Sequence, residues 1–362
     1  MWIIYILAAI IIIGPGYYGF ITCQTSKIRE LTFEDMLLYT TKNNENAVIT
    51  AGIIKDGVSN YSVYGKNGVL LPGEKHIYEI GSITKTITAS LLFKAIEEGK
   101  INMEDCIDKY LDLPKKDYYP TIKQILTHTS GYKDFYFESQ MVSNFFKNFF
   151  NRRNDYYGIT KEQLINRIGK INIKNRVYGF KYSNFGISVI GVILSNIYRE
   201  DYAKIIKKYL KEELGLNNTT ISNGLGDLQN YWKWLENDAY LPAGGLTSDI
   251  EDMLKYAQLQ LNITPEYLSV MHNKITDINA TSGRNANMNI RMDSMGATWI
   301  IDTNNNIIWH NGGTGNYNSY IGFDMEKQVA VIVLSNLPPN YRIPATVMGV
   351  KLLTDLQIES DK

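Results

Sequence analysis

Residue patterns typical of β-strands occur at both ends of this 362-residue chain, with a long helical pattern between them. Near the N-terminus, Ala47 to Asp56 and Tyr61 to Gly65 indicate two strands joined by a turn over residues 57–60. From about residue 100 to 285, apolar residues recur mostly at helical spacing. Near the C-terminus four more strands are predicted, over Thr298 to Asp302, Ile307 to His310, Ser319 to Asp324 and Val329 to Ser335.

The two groups of strands can bury their apolar faces by pairing in one sheet. We therefore predict an α+β fold, an α/β sandwich whose antiparallel sheet is built from both ends of the chain and flanked by helices. Residues 100–285 would form a mainly helical inserted domain. Predicted helices cover Lys161 to Ile168, Gly186 to Tyr198, Tyr202 to Leu214 and Ala345 to Leu356.

Another helix is predicted to begin near Ser82, where apolar residues start to recur at helical spacing, and to end at Gly99. Ser82 and Lys85 are three residues apart, so they share one face of that helix. A serine hydroxyl needs a base to become a nucleophile, and a lysine of lowered pKa can be that base. The helix N-terminus would also offer backbone N–H groups to an oxyanion.

This spacing alone is weak, because a lone serine at a helix start is more often a simple N-cap. The chain also holds a second copy, Ser130-Gly131-Tyr132-Lys133. Gly131 and its surroundings predict a loop there, so that second pair would lack a fixed geometry.

Tyr182-Ser183-Asn184 carries a second group of candidate site residues. A tyrosine near a lysine can act as a phenolate or proton shuttle, and an asparagine can orient both the lysine and a substrate amide. The alternative is a buried aromatic residue followed by a turn asparagine.

His310-Asn311-Gly312-Gly313-Thr314-Gly315 follows a predicted strand. Glycines at such a position indicate that something approaches the backbone closely. That partner could be a substrate adding as a further strand, with a backbone N–H completing an oxyanion hole. The alternative is a glycine-rich hairpin.

Together and in this order, the three motifs resemble those of the serine β-lactamase and penicillin-binding superfamily. The resemblance is to its branch of class C β-lactamases, DD-peptidases and esterases, with the pattern S-x-x-K, Y-x-N and K/H-x-G. It covers about residues 33–356. Further family-like phrases are Tyr78-Glu79-Ile80-Gly81, Leu126-Thr127-His128-Thr129-Ser130-Gly131 and Pro242-Ala243-Gly244-Gly245-Leu246.

The resemblance implies a serine hydrolase that forms an acyl-enzyme and needs no cofactor. It makes Ser82 the acylated nucleophile, Lys85 its base and Tyr182 the proton shuttle to the leaving group. Asn184, His310 and Gly312 would contact substrate, and the N–H groups of Ser82 and Gly313 would form the oxyanion hole. The phrase around His128 would be structural.

His310 stands where many relatives have a lysine, which supplies a fixed positive charge for a substrate carboxylate. A histidine is mostly neutral near pH 7 and steers anions less. We therefore expect a D-amino-acyl peptidase, such as a DD-carboxypeptidase, or an esterase rather than an efficient β-lactamase. The substrate would be a small peptide or ester, with peptidoglycan and teichoic-acid material as candidates. The alternative is an inactive protein of this scaffold that binds cell wall.

The remaining composition bears on partners and location. Basic and acidic residues balance at 37 each, so no nucleic-acid partner is predicted, and the four histidines show no metal-binding spacing. Residues 1–26 contain no charged side chain, and Trp2 to Ile13 is continuously apolar. Such a segment fits a membrane anchor or a cleaved signal, which predicts an extracellular catalytic domain at the membrane or a secreted one. Lys27 and Arg29 after the segment run against the positive-inside rule for that orientation.

Overall fold

A computed structural model describes residues 27–151 and 154–360. The predicted anchor or signal over residues 1–26 lies outside these ranges. Within them, no helix is both long enough and apolar enough to cross a bilayer.

One large antiparallel sheet forms the centre of the molecule, with strand order β3-β2-β1-β12-β11-β10-β9-β8-β7. The two ends of the chain meet where β1 pairs with β12, in a register that places Ile49 opposite Ser335 and Ile54 opposite Ala330. This pairing confirms the predicted α+β fold. The strands are β1 Ile49–Lys55, β2 Val58–Tyr64, β3 Leu70–Leu71, β7 Thr276–Asp277, β8 Ser294–Met295, β9 Ile300–Asp302, β10 Ile307–Gly313, β11 Asn318–Asp324 and β12 Val329–Ser335. A small second sheet has the order β4-β6-β5, with β4 Tyr78–Glu79, β5 Thr220–Ile221 and β6 Leu246–Ser248.

Strands β2 and β10 differ most from their predicted limits. The turn between β1 and β2 needs only Asp56 and Gly57, both with positive φ, so β2 already begins at Val58. Strand β10 continues past His310 because Gly312 and Gly313 still pair with β11.

The predicted insertion consists of helices joined by loops, with the short strands β5, β6 and β7 among them. The single helix expected from Tyr202 to Leu214 is an α-helix that ends at Lys208 and continues as one π-helical turn, Tyr209–Glu213. The α-helices are α1 Phe33–Thr41, α2 Thr84–Glu97, α3 Ile122–Leu126, α4 Ser139–Asn151, α5 Lys161–Lys170, α6 Asn184–Tyr198, α7 Tyr202–Lys208, α8 Leu241–Gly244, α9 Ile250–Asn262, α10 Tyr267–His272, α11 Gly283–Asn287 and α12 Ala345–Glu359.

Strand β12 separates two apolar cores. Val331 and Val333 face the core shared with α1 and α12, whereas Ile332 and Leu334 face the core shared with the inserted helices. Helix α9 belongs to the insertion by sequence, yet it packs directly on β1 and β12. The insertion therefore covers one face of the sheet as well as forming its own layer.

Candidate active site

Ser82 lies in a one-turn 3₁₀-helix, Gly81–Ile83, that leads directly into α2. This turn packs on β10, at the junction of the sheet and the helical region. The Ser82 side chain is partly exposed, whereas Lys85, one turn further along, is fully buried. The Lys85 Nζ atom lies 2.8 Å from the Ser82 Oγ atom. The predicted pairing of these two side chains is therefore present in the structure.

The Lys85 amine has few polar neighbours. Its Nζ donates to the Ala243 carbonyl oxygen at 2.5 Å and lies 4.9 Å from the centre of the Tyr182 ring. Burial lowers the pKa of Lys85 to about 7, although the negative charge of Asp134 opposes the shift. Near neutral pH a large fraction of this amine is therefore uncharged, and its lone pair can take the proton of the Ser82 hydroxyl.

Tyr182 lies between two histidine rings. Its ring centre is 4.6 Å from that of His128 and 6.4 Å from that of His310. Burial raises the pKa of the Tyr182 phenol well above its usual value, and a hydrogen bond with Ser82 offsets only part of this rise. The phenol therefore keeps its proton near pH 7, which favours proton donation over a phenolate role.

Asn184 opens helix α6, but its contacts differ from the expected ones. Its backbone N–H donates to Asp134 Oδ1 at 3.0 Å, and its Nδ2 donates to the Tyr156 hydroxyl at 3.3 Å. In the described ranges, the amide makes no hydrogen bond to Lys85. The expected orientation of Lys85 is supplied instead by the carbonyl of Ala243.

His310 is buried on β10, and its Nδ1 lies 2.6 Å from the carbonyl oxygen of Asn311. A carbonyl only accepts hydrogen bonds, so this contact assigns the ring proton to Nδ1 and leaves Nε2 as an acceptor. Within the described part of the chain Nε2 has no hydrogen-bond partner. Burial, together with the charge of Lys85, lowers the pKa of His310 to about 3. The ring is therefore neutral, as predicted, and its Nε2 offers a lone pair.

The glycines after His310 pack against the segment that carries the serine. A Cβ atom at Gly312 would lie 1.9 Å from the Ile80 carbonyl oxygen, and one at Gly81 would lie 2.6 Å from the Gly313 nitrogen. At Gly312, the group that makes the predicted close approach is therefore the Ile80 carbonyl of the same chain. It brings the backbone of Gly313 next to the turn that holds Ser82.

One edge of β10 is open beside this site. Strand β9 pairs with β10 only over Ile307–Trp309, whereas β11 pairs with it as far as Gly313. In the described ranges, residues 310–313 therefore have a strand on one side only. An extended peptide could pair along the free side.

The second S-x-x-K copy forms no comparable pair. Ser130 is buried and its Oγ accepts a hydrogen bond from the Tyr132 N–H, while Lys133 is exposed with its Nζ over the Tyr136 ring. As predicted, this segment is a loop.

One contributor to the site was not assigned from sequence, and His128 was assigned only a structural role. The Ala243 carbonyl holds Lys85, but a backbone carbonyl leaves no residue-type signal; only the glycines that follow it hinted at a special conformation. His128 accepts from the Ser183 N–H at 3.2 Å and its ring lies tilted beside that of Tyr182, which agrees with a structural role.

Comparison with known proteins gives concordant results. The β-lactamase family profile matches residues 42–347. The protein flp of Staphylococcus aureus strain MW2 is 26% identical over 284 residues, which are 73% of this chain and 53% of that protein. The chain thus spans about half the length of this relative.

Two solved structures share the fold. A β-lactamase/D-alanine carboxypeptidase from Yersinia pestis superimposes with a TM-score of 0.68 at 17% identity, over 93% of this chain and 99% of that one. A mutant of a class C β-lactamase gives the same TM-score and identity, over 93% and 98%. With a family match spanning residues 42–347, the chain belongs to the β-lactamase family, a family of serine hydrolases.

Proposed function

We propose that this protein is a serine hydrolase that works through an acyl-enzyme on Ser82. The observation that carries the proposal is the contact between a partly exposed serine hydroxyl and a fully buried lysine whose pKa is near 7. Such an amine can remove the hydroxyl proton while the oxygen attacks a carbonyl carbon. The intact pair argues against a scaffold that only binds cell wall.

In the first half-reaction the Ser82 Oγ–H bond breaks, its proton moves to Lys85 and a bond forms between Oγ and the substrate carbon. The carbonyl oxygen becomes an oxyanion, which the backbone N–H groups of Ser82 and Gly313 would stabilise. The two peptide units lie side by side because Gly81 packs on Gly313.

Departure of the leaving group needs a proton, which Tyr182 is suited to give because its phenol stays protonated. Lys85 can then return its proton to Tyr182, which leaves a neutral amine beside the acyl-enzyme. Attack by water, with the same groups in reverse roles, would release the acid and restore Ser82.

For the substrate we propose a D-amino-acyl peptide or ester derived from cell-wall material, either peptidoglycan or teichoic acid. The open edge of residues 310–313 suits an extended acyl group, and a structural neighbour is named as a D-alanine carboxypeptidase. The neutral His310 supplies no positive charge for a carboxylate, so esterase work is as well supported as carboxypeptidase work and efficient β-lactamase activity is not expected. We further propose that residues 1–26 hold this domain at the outer face of a membrane or direct its secretion.

Mass spectrometry of the intact protein tests the acyl-enzyme. After incubation with a β-lactam, a D-alanyl ester, a D-alanyl-D-alanine peptide or a fluorophosphonate, the wild type should gain the mass of one acyl or phosphonyl group. The Ser82→Ala variant should gain none. Ser130→Ala, which alters the second S-x-x-K copy, is the matched control and should label like the wild type. Labelling that persists in Ser82→Ala would refute the proposal, and a wild type that no probe labels would favour the wall-binding alternative.

A further inference from the structure

Glu79 is a buried acid that the proposed reaction does not use. It lies on β4, three residues before Ser82, and only 2% of its surface is exposed. Its partners in the described ranges are two hydrogen-bond donors rather than a cation. The backbone N–H of Trp232 donates to Oε1, and the hydroxyl of Thr314 donates to Oε2. Burial raises the pKa of this carboxyl to about 7. A carboxyl is costly to bury, so its presence calls for a physical reason.

Each partner of Glu79 belongs to a segment at the candidate site. Thr314 directly follows Gly313, and its hydroxyl oxygen also accepts from the Tyr317 N–H at 3.3 Å. Trp232 lies in the segment 222–240, whose Asn230 carbonyl accepts from the Asn316 amide. Glu79 therefore joins the strand before the nucleophile to the end of β10 and to a neighbouring loop.

Other contacts also bring these segments together. The Ser319 hydroxyl donates to the Ile80 carbonyl at 2.8 Å, and Gly312 packs on that same carbonyl. Ser319 pairs with Gly312 across β10 and β11, so both contacts act at the level of Gly312. On the other side of Gly313, the hydrogen bond from Thr314 to Glu79 ties the chain to β4, and the Tyr317 ring packs edge-on against the Tyr78 ring.

We propose that Glu79 is a positioning residue that, through Thr314, holds the Gly313 N–H at the correct distance from the Ser82 N–H for both to bind an oxyanion. This proposal rests on the acyl-enzyme function. Glu79 touches no reacting atom in it. A carboxylate can accept from both donors at once, whereas a leucine of similar size would fill the space without orienting Thr314.

The variants Glu79→Gln and Thr314→Val test the proposal. A glutamine has one acceptor oxygen in place of two, and a valine keeps the shape of threonine without its hydroxyl. Removal of a whole oxyanion donor costs about 10²- to 10³-fold in kcat, so a displaced donor should cost about tenfold. With a D-alanyl ester we expect kcat to fall about tenfold in each variant, KM to change less than about threefold, and phosphonylation of Ser82 to slow in parallel.

The double variant Glu79→Gln/Thr314→Val should be no slower than the slower single variant, because both act through one hydrogen bond. Two variants serve as controls and should match the wild type: Thr314→Ser, which keeps the hydroxyl, and Glu74→Gln, which alters an exposed glutamate on the loop before β4. Thermal melting of each variant distinguishes a loss of folding stability from a displacement of the Gly313 N–H.

Wild-type kcat in Glu79→Gln or in Thr314→Val would overturn the proposal, as would losses that multiply in the double variant. A lower melting temperature of Glu79→Gln with unchanged kcat would show that Glu79 is only structural, and would also overturn the proposal. These outcomes differ from failure of the proposed function, in which the wild type itself is never acylated.

Discussion

At the scale of single residues, burial sets the protonation state of each group around Ser82. The same desolvation that lowers the pKa of Lys85 to about 7 raises that of Tyr182 and lowers that of His310 to about 3. The outcome is a partly neutral amine, a protonated phenol and a neutral imidazole within one cluster. These states suit the amine to act as the base and the phenol as the acid in the proposed reaction.

The pH dependence of acylation follows from Lys85. Only its deprotonated form can take the serine proton, and that form is about one tenth of the total at pH 6 and about nine tenths at pH 8. The rate of Ser82 phosphonylation by a neutral fluorophosphonate should therefore rise with pH through about 7 and then level off.

Lys85→Arg should remove this rise and slow phosphonylation by at least about 10³-fold, because a guanidinium stays protonated. Stopped-flow or quenched labelling from about pH 5 to about pH 9 measures it. A flat wild-type profile over that range would exclude Lys85 as the base.

At the scale of elements, the site depends on how closely two backbone segments pack. The chain from Ile80 to Ser82 approaches Gly312 and Gly313 so tightly that no side chain fits at Gly312 or Gly81. Gly81 also has a φ of +49°, in the region that favours glycine. The glycines of the third motif therefore allow this contact within the protein, and in the described ranges one side of β10 beyond Trp309 is left unpaired.

Gly312→Ala should separate the two segments, since its Cβ would lie 1.9 Å from the Ile80 carbonyl oxygen. We expect destabilisation by about 1–3 kcal/mol, as for other overpacked sites, and a fall in the Ser82 acylation rate. Gly73→Ala is the matched control, because no atom lies within 4 Å of its added Cβ. Chemical denaturation and probe labelling measure the two effects. Normal acylation in Gly312→Ala would show that this contact does not position the oxyanion donors.

At the scale of the whole molecule, the two ends of the described chain contribute strands to one sheet. The domain that contains Ser82, Lys85 and Tyr182 closes on itself where β1 pairs with β12. Within the described residues, two apolar cores lie on either side of β12.

Deletion of residues 2–26 should therefore leave kcat and KM of the hydrolase within about twofold and the melting temperature within a few degrees. The truncated protein should fractionate away from membranes if the segment is an anchor. Membrane flotation of both forms, with activity measured in each fraction, is the appropriate assay. Truncated protein that stays bound to membranes would contradict an anchoring role for these residues.

The sequence determined the fold class and most of the candidate site, because both depend on local pattern. Strand alternation at each end implied one shared sheet, and the register of β1 on β12 confirms it. The pairing of Ser82 with Lys85 follows from their spacing on a helix, which fixes geometry locally. The three motifs together, rather than that spacing, separated this pair from Ser130 and Lys133.

Tertiary structure alone decided what each group contacts across the fold. The carbonyl of Ala243, rather than the amide of Asn184, accepts a hydrogen bond from Lys85. The Nδ1 of His310 contacts the Asn311 carbonyl, which leaves the lone pair on Nε2. Glu79 accepts a hydrogen bond from Thr314, which is more than 200 residues further along the chain. These contacts join residues distant in the chain, and their energies depend on burial and on backbone carbonyls that residue type does not encode. The sequence thus specified which side chains are chemically suited to the reaction, and the packing of the sheet against the helices set their protonation states and their contacts.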